Sequence, residues 1–169
     1  MKRICILIGF KGSGKSFTGM LFEELLQFKF IRVEDWAKHV KKDRSIDNDD
    51  YLKEVFQVIE NGIRDSLKKF DNVVFESTGL TRYFDSMLNN LRTDFKVTTV
   101  KINADKDLCM ERVRTRDQSI HINVSDNEVK MINDAVAKKM IQTDFEIDNN
   151  NSTKNELKEQ ISEIVKMTI

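Results

Sequence analysis

A glycine-rich octapeptide that follows a short apolar segment constrains the fold of this chain more than any other feature. Residues 4–8 are apolar throughout, and residues 9–16 read GFKGSGKS. The octapeptide matches the pattern G-x-x-x-x-G-K-[ST], in which glycines let the backbone turn so sharply that successive amides point at phosphate oxygens. Residues 15–28 have helical character, and the N-terminal end of a helix adds positive partial charge. The order of strand, loop and helix therefore predicts a nucleoside triphosphate site.

This loop supplies most of the predicted nucleotide contacts. Lys15 is expected to meet the β- and γ-phosphates and to be catalytic, and the Ser16 hydroxyl is expected to ligate Mg²⁺. A dinucleotide-binding pattern, G-x-G-x-x-G, is excluded because Phe17 stands where its last glycine is needed. The loop residues predicted to bind the nucleotide are Lys11, Gly12, Ser13, Gly14, Lys15, Ser16 and Phe17.

Length and charge narrow the classes of function. The chain has 169 residues, the usual size of one domain, and we expect a single domain over residues 1–169. Its 28 Lys and Arg residues balance 28 Asp and Glu residues, so bulk attraction to nucleic acid is not expected. The apolar segment 4–8 is too short for a signal peptide or a membrane span. Cys5 and Cys109 form no CxxC pair and are predicted to be buried thiols. These features predict a cytoplasmic protein without a membrane partner.

Strand-length apolar segments alternate with longer segments of helical period. This alternation predicts an α/β fold, a parallel sheet covered by helices. The predicted strands are residues 4–8, 30–33, 73–76, 96–102 and 145–147. The predicted helices are residues 15–28, a segment starting near Trp36, a long helix with an apolar stripe from Leu52 to Leu67, and residues 81–91, 105–116, 126–141 and 154–167. Ser125 with Glu128, and Thr153 with Glu156, predict capping boxes at the last two helices.

Three further segments carry side chains suited to phosphoryl transfer. Glu34 and Asp35 follow the second predicted strand, residues 76–83 read ESTGLTRY after the third, and residues 111–117 read ERVRTRD. Together with the loop, these segments resemble the P-loop kinases of the nucleoside monophosphate kinase, shikimate kinase and gluconate kinase group. The resemblance implies a P-loop NTPase three-layer sandwich with strand order 2-3-1-4-5, helices on both faces, and a small lid at about residues 117–126. It also implies ATP and Mg²⁺ as cofactors.

The resemblance assigns the acceptor side to residues after the second and third strands. A carboxylate after the second strand accepts the proton of the attacking hydroxyl, with Asp35 as the preferred base and Glu34 as a second acceptor-binding residue. The same pair could instead form only the acidic first turn of a helix. Glu76 stands where the family usually has Asp and is expected to join Ser16 in holding the metal. Gly79 and Arg82 are expected to bind the acceptor.

The arginine segment is expected to close over the triphosphate. Arg112 and Arg116 are four residues apart and so share a helix face, whereas Arg114 points elsewhere. The resemblance implies that Arg112 binds the nucleotide by stacking on its base and that Arg116 neutralises charge on the transferring phosphoryl group. His121 lies in the expected lid, and the sequence gives it no role.

The sequence leaves the phosphoryl acceptor open. A small hydroxyl compound is preferred; a nucleoside monophosphate acceptor would need basic residues, for which Arg32, Arg44, Arg64 and Arg82 are candidates. A polynucleotide 5′-hydroxyl acceptor is disfavoured by the net charge of zero. A nucleotide-gated regulatory module is the non-enzyme alternative, although the guanine-specific pattern Asn-Lys-x-Asp does not occur. Acceptor specificity is expected to reside in residues 36–70, and oligomeric state stays open.

Overall fold

A five-stranded parallel sheet forms the centre of the computed structural model, which describes residues 1–168; Ile169, the end of the predicted domain, lies outside them. The strands are β1 (Arg3–Ile8), β2 (Lys29–Ile31), β3 (Asn72–Ser77), β4 (Lys96–Asn103) and β5 (Phe145–Asp148). Their order in the sheet is β2-β3-β1-β4-β5, and every neighbouring pair is parallel. The predicted α/β fold and strand order are thereby confirmed.

Seven helices surround this sheet in the described part of the chain. They are α1 (Lys15–Leu26), α2 (Val33–Lys41), α3 (Asp49–Lys69), α4 (Arg82–Asp94), α5 (Lys106–Thr115), α6 (Asp126–Lys139) and α7 (Lys154–Thr168). None of these helices is both long and apolar enough to cross a membrane.

The two faces of the sheet bury two separate apolar clusters. Successive side chains of a strand point to opposite faces, so Ile4, Ile6 and Ile8 of β1 pack with α2, α3 and α4. Cys5 and Leu7 point the other way and pack with α1 and α7. Because β1 is covered on both sides, it reads as an uninterrupted apolar run rather than an alternating one.

The register of the sheet places the loop after β1 and the segment after β3 at one edge. Ile8 at the end of β1 pairs with Ser77 at the end of β3 and with Lys101 of β4. Parallel strands end on the same side of a sheet, and ligands of such folds bind in the crevice beyond those ends. The glycine-rich loop after β1 and the segment after β3 are therefore neighbours in space.

Several element boundaries differ from those predicted. The predicted strand 30–33 is too long, because Val33 begins α2 and is 8% exposed in its first turn. Its β-branched side chain favours a strand locally, but burial against the core decides the outcome. Predicted helix 15–28 ends instead at Leu26, and predicted helix 126–141 ends at Lys139, each followed by a residue with a left-handed backbone. Both capping boxes are confirmed.

Candidate active site

The glycine-rich loop between β1 and α1 has the backbone of a phosphate-binding nest. Gly12 and Gly14 have φ angles of 86° and 94°, a backbone region that residues other than glycine rarely adopt. A Cβ on Gly12 would collide with the carbonyl oxygen of Cys109, and one on Gly14 would collide with Nδ2 of Asn149. These two positions therefore require glycine on conformational and on steric grounds.

The N-terminus of α1 is open toward this loop. Gly14 occupies the capping position without a side-chain cap, and the first turn holds no acidic residue. By contrast, Asn48, Thr81 and Ser125 cap α3, α4 and α6 with their side chains. The uncapped N–H groups and the helix dipole leave α1 suited to an anion.

Lys15 is buried at the base of the loop. Its Nζ donates hydrogen bonds to the carbonyl oxygens of Gly9 (3.1 Å) and Phe10 (2.7 Å). Burial lowers the pKa of Lys15 to about 8, against an opposing effect of the Glu76 carboxylate. Burial also lowers the pKa of Lys11. The site thus holds two ammonium groups that lack full solvation, and a polyphosphate would stabilise their charged forms.

Two asparagines from distant parts of the chain brace the loop. Asn133 of α6 accepts a hydrogen bond from the backbone N–H of Lys11 (2.8 Å) and donates one to its carbonyl oxygen (3.2 Å). Asn149, which follows β5, donates from Nδ2 to the carbonyl oxygen of Ser13 (2.8 Å). Both asparagines are buried, 2% and 6% exposed. The role of Asn133 could not be predicted from the sequence, since one asparagine in an amphipathic helix matches no motif.

Ser16 and Glu76 form the candidate metal site. The Ser16 hydroxyl donates to Oε1 of Glu76 at 2.6 Å, and both residues face the cavity described below. Mg²⁺ in nucleotide sites takes one or two protein oxygens and completes its shell with phosphates and water. Among the described residues, no group of three His, Cys, Asp or Glu side chains could hold a metal without such help. The pair therefore fits Mg²⁺ that arrives with a nucleotide.

Arg112 of α5 and Arg116, which follows the end of α5 with an extended backbone, line the same cavity. The predicted helix 105–116 thus ends one residue before Arg116. Arg112 donates from Nη2 to the carbonyl oxygens of Asn149 (2.9 Å) and Asn150 (3.2 Å). Nε and Nη2 of Arg116 are buried and have no hydrogen-bond partner within residues 1–168. Arg114 points away and pairs with Asp126 at 2.9 Å. A buried guanidinium with unused donors is costly unless an anion completes it.

Glu34, at the start of α2, presents its carboxylate to the cavity. Oε2 lies 2.8 Å from Nδ1 of His121, and Oε1 accepts the backbone N–H of Ile122 at 2.7 Å. Burial acts to raise the pKa of Glu34, but these two hydrogen bonds and the charge of Lys11 outweigh it and lower the pKa below its usual value. Glu34 is therefore ionised at neutral pH.

Three residues predicted on the acceptor side lie outside the walls of the cavity. Asp35 is 58% exposed and pairs with Arg32 at 3.5 Å. Arg82 is 75% exposed and binds Asp49 at 3.2 Å. Gly79 is buried, and a Cβ there would lie 2.7 Å from Cδ1 of Ile141. The geometry thus favours Glu34 over Asp35 as the carboxylate that faces an acceptor. Gly79 is packed against Ile141 and does not line the cavity.

The phosphate loop, the candidate metal site, the two arginines and Glu34 all line one cavity of about 590 Å³. At the loop end it is lined by Lys11, Gly12, Gly14, Lys15, Ser16, Phe17, Glu76, Arg112 and Arg116. At the other end lies an apolar surface that we call the acceptor wall, formed by Val33, Ala37, Leu52, Val55, Phe56 and Ile59 of α2 and α3. Glu34 and His121 also line the cavity. Of the predicted loop residues, Ser13 alone is not in its walls, being buried beneath them.

Comparisons with known proteins agree with this architecture. A family model described as an AAA domain matches residues 4–138. Among curated protein sequences, none matches the chain. The crystal structure of shikimate kinase from Aquifex aeolicus is 22% identical, with 98% of this chain and 97% of that chain covered and a TM-score of 0.64.

Two further solved structures share the fold. Gluconokinase from Sinorhizobium meliloti is 15% identical over 97% of this chain and 94% of its own, with a TM-score of 0.68. APS kinase from Mycobacterium tuberculosis, solved in complex with AMPPNP and APS, is 13% identical over 99% of this chain and 97% of its own, with a TM-score of 0.67. At these identities the likeness establishes the P-loop kinase fold.

Proposed function

We propose a function from one premise: the chain belongs to the AAA-domain family, whose model covers residues 4–138. The function is ATP- and Mg²⁺-dependent transfer of the γ-phosphoryl group to the hydroxyl of a small molecule. One observation carries this proposal. The same cavity is lined by the phosphate loop with Lys15, by the Glu34 carboxylate, which is ionised at neutral pH, and by the acceptor wall.

The nucleotide end of the cavity has the groups that hold a triphosphate. Backbone amides of the loop and the N-terminus of α1 bind phosphate oxygens, and Lys15 supplies charge to them. Arg116, with its unused donors, binds the transferring phosphoryl group. Arg112 lies beside the loop after β5 and faces the nucleotide. Ser16 and Glu76 would hold Mg²⁺, which would neutralise phosphate charge when it is bound.

Glu34 is the proposed general base. As the acceptor oxygen forms its bond to the γ-phosphorus and the bond to ADP breaks, the hydroxyl proton passes to the Glu34 carboxylate. A carboxylate offers about four acceptor positions, so the bonds from His121 and Ile122 leave room for the acceptor hydroxyl. Residues 117–126, which lead from α5 into α6, act as the lid. His121 and Ile122 hold this segment against Glu34 at the cavity.

The relatives support a kinase. Three solved proteins of this fold are named shikimate kinase, gluconokinase and APS kinase, and the last was solved with AMPPNP and APS together. Each name is that of an enzyme that phosphorylates a small molecule. This supports a small-molecule acceptor for the present chain.

The test measures nucleotide binding and phosphoryl transfer on matched variants. Titration with Mg²⁺ and ATP in a calorimeter should give saturable binding to the wild-type protein and to Lys53→Ala, which alters an exposed lysine of α3. Lys15→Ala should lose at least about 100-fold in phosphoryl transfer from γ-labelled ATP, because oxyanion-type contacts contribute this much. Retained transfer in Lys15→Ala, or absence of ATP binding to the wild type, would contradict the proposal.

A further inference from the structure

The acceptor wall is so apolar that it restricts which acceptor molecules can bind to it. The six residues of the acceptor wall are aliphatic or aromatic, and four of them, Val33, Ala37, Val55 and Ile59, are each less than 10% exposed. Phe75 and Met87, from β3 and α4, add to the same apolar lining. This wall lies in the segment that was expected to set acceptor specificity, residues 36–70, together with Val33.

The arginines that could hold an anionic acceptor are already paired. Arg44 binds Glu54 at 2.7 Å and Arg64 binds Glu60 at 2.9 Å. Arg82 binds Asp49 and Arg32 pairs with Asp35, and of these four arginines only Arg32 lines the cavity. The unpaired donors of Arg116 are assigned to the transferring phosphoryl group. An acceptor phosphate or carboxylate on the acceptor wall would therefore lose its hydration without an unassigned, unpaired arginine to bind, which is unfavourable.

Polar groups that line the cavity near the wall include some that are already hydrogen-bonded. The Tyr51 hydroxyl donates to the carbonyl oxygen of Ala37 at 3.5 Å, and Asp47 accepts from the Ser45 hydroxyl at 2.6 Å. A polyol that packed against Val55 or Ile59 would leave hydroxyls without hydrogen-bond partners, which is unfavourable. An apolar group in the same place would instead gain the free energy of leaving water.

We propose that the phosphoryl acceptor is an alcohol with an apolar body, aliphatic or aromatic, that packs on the acceptor wall while its single hydroxyl reaches Glu34. This inference rests on the proposed kinase function. The hydroxyl proton goes to Glu34, the alcohol oxygen takes the γ-phosphoryl group, and ADP leaves with the electron pair of the broken bond. The cavity volume of about 590 Å³ is in the range of small-molecule sites.

The first test compares ligands of opposite character on the wild-type protein. We would titrate 3-phenylpropan-1-ol and cyclohexylmethanol against erythritol, gluconate, shikimate and uridine monophosphate, in the presence of Mg²⁺ and AMPPNP, with calorimetry and ligand-observed NMR as readouts. The apolar alcohols should bind at least about tenfold more tightly than the polar compounds, a difference that the burial of a few methylene groups supplies. With ATP in place of AMPPNP, they should also stimulate ADP release.

The second test changes the wall without changing its shape. Val55→Thr places a hydroxyl in the acceptor wall, whereas Val58→Thr places the same hydroxyl on the same helix outside the cavity. Val55→Thr should weaken binding of 3-phenylpropan-1-ol about three- to tenfold because the added hydroxyl must lose water. Val58→Thr should leave that affinity unchanged, and both variants should bind Mg²⁺ and ATP as the wild type does.

The outcomes separate this inference from the kinase proposal. Tighter binding or faster phosphorylation of a polyol, sugar acid or nucleoside monophosphate would overturn the apolar acceptor and leave the kinase intact. Absence of binding by both apolar alcohols to the nucleotide-loaded protein would also overturn it. If ATP fails to bind, the kinase proposal falls, and titration of the alcohols into nucleotide-free protein still decides whether the wall takes apolar ligands.

Discussion

His121 Nδ1 lies 2.8 Å from Oε2 of Glu34, so the loop between α5 and α6 is bound to the first turn of α2 by the carboxylate that faces the cavity. The neighbouring N–H of Ile122 binds the other oxygen of the same carboxylate at 2.7 Å. The side chains of His121 and Glu34 are 12% and 17% exposed, so water screens this contact only weakly. The carboxylate proposed as the general base is therefore also the group that holds the loop between α5 and α6 in place.

Replacing the proposed base should lower turnover strongly while nucleotide affinity stays close to that of the wild type. Glu34→Gln keeps the size of the side chain but cannot accept a proton, so kcat should fall about 10²- to 10⁴-fold. Steady-state kinetics and ATP titration measure the two quantities separately. Asp35→Asn is the matched comparison, since Asp35 is exposed and pairs with Arg32; a loss of kcat in this variant as large as in Glu34→Gln would return the role of base to Asp35.

Removing the imidazole should loosen the loop between α5 and α6. His121→Ala deletes the contact with Glu34, and local opening of a segment becomes more frequent when its few tertiary bonds are removed. Amide hydrogen exchange in residues 117–125 should accelerate severalfold, with the sheet unchanged. His39→Ala, which removes the exposed histidine of α2, is the control. Unchanged exchange in His121→Ala would mean that other contacts hold the loop.

ATP binding should take up a proton at mildly alkaline pH. Burial lowers the pKa of Lys15 to about 8 in the nucleotide-free protein, so at about pH 8.5 most of Lys15 is neutral. A bound polyphosphate favours the ammonium form and raises this pKa, so a proton enters on binding. At about pH 6.5 Lys15 is charged before and after binding, and no uptake on its account is expected.

Calorimetry in two buffers with different ionisation enthalpies measures that uptake. The apparent enthalpy of Mg²⁺ and ATP binding should depend on the buffer much more at about pH 8.5 than at about pH 6.5. Equal enthalpies in both buffers at the higher pH would show that Lys15 is already protonated in the free protein.

Loss of the asparagine under the loop should weaken both stability and nucleotide binding. Asn133→Ala leaves the N–H and the carbonyl oxygen of Lys11 without their partner, and each unpaired buried group costs about 1–3 kcal/mol. Urea unfolding should show a lower free energy of unfolding, and the Kd for ATP should rise at least about tenfold. Asn127→Ala, at an exposed position of α6, should change neither quantity appreciably. Equal effects of the two substitutions would mean that Asn133 has no special role.

The phosphate loop could be predicted because its signals are local, whereas the strand order was implied only by the resemblance to a kinase family. The apolar run of β1 and the octapeptide after it stand together in the sequence, and backbone geometry at Gly12 and Gly14 follows from residue type. Local sequence signals could not decide whether Glu34 or Asp35 faces the cavity. Adjacent residues of a helix point about 100° apart, and only the placement of α2 on the sheet decides which of them faces the cavity.

Other features depend on contacts between distant residues. Arg82 was expected to meet the acceptor, but Asp49 of α3 binds it at the surface, and nothing near Arg82 in the sequence indicates that pair. His121 meets Glu34 across 87 positions of the chain. The acceptor wall could not be predicted from the sequence either. In α3, the apolar residues that pack in the core and those that line the cavity recur with the same helical period, so the pattern does not distinguish them.

The bonds of Asn133 and Asn149 to the phosphate loop set an order in which the protein becomes competent. During synthesis the loop, at residues 9–16, leaves the ribosome first, whereas the two amides that hold it follow 122 and 136 positions later. A nascent chain that carries the whole nucleotide motif therefore lacks its support until α6 and the segment after β5 have been made. On the proposed function, nucleotide binding therefore has to wait for segments made long after the loop that carries its signature.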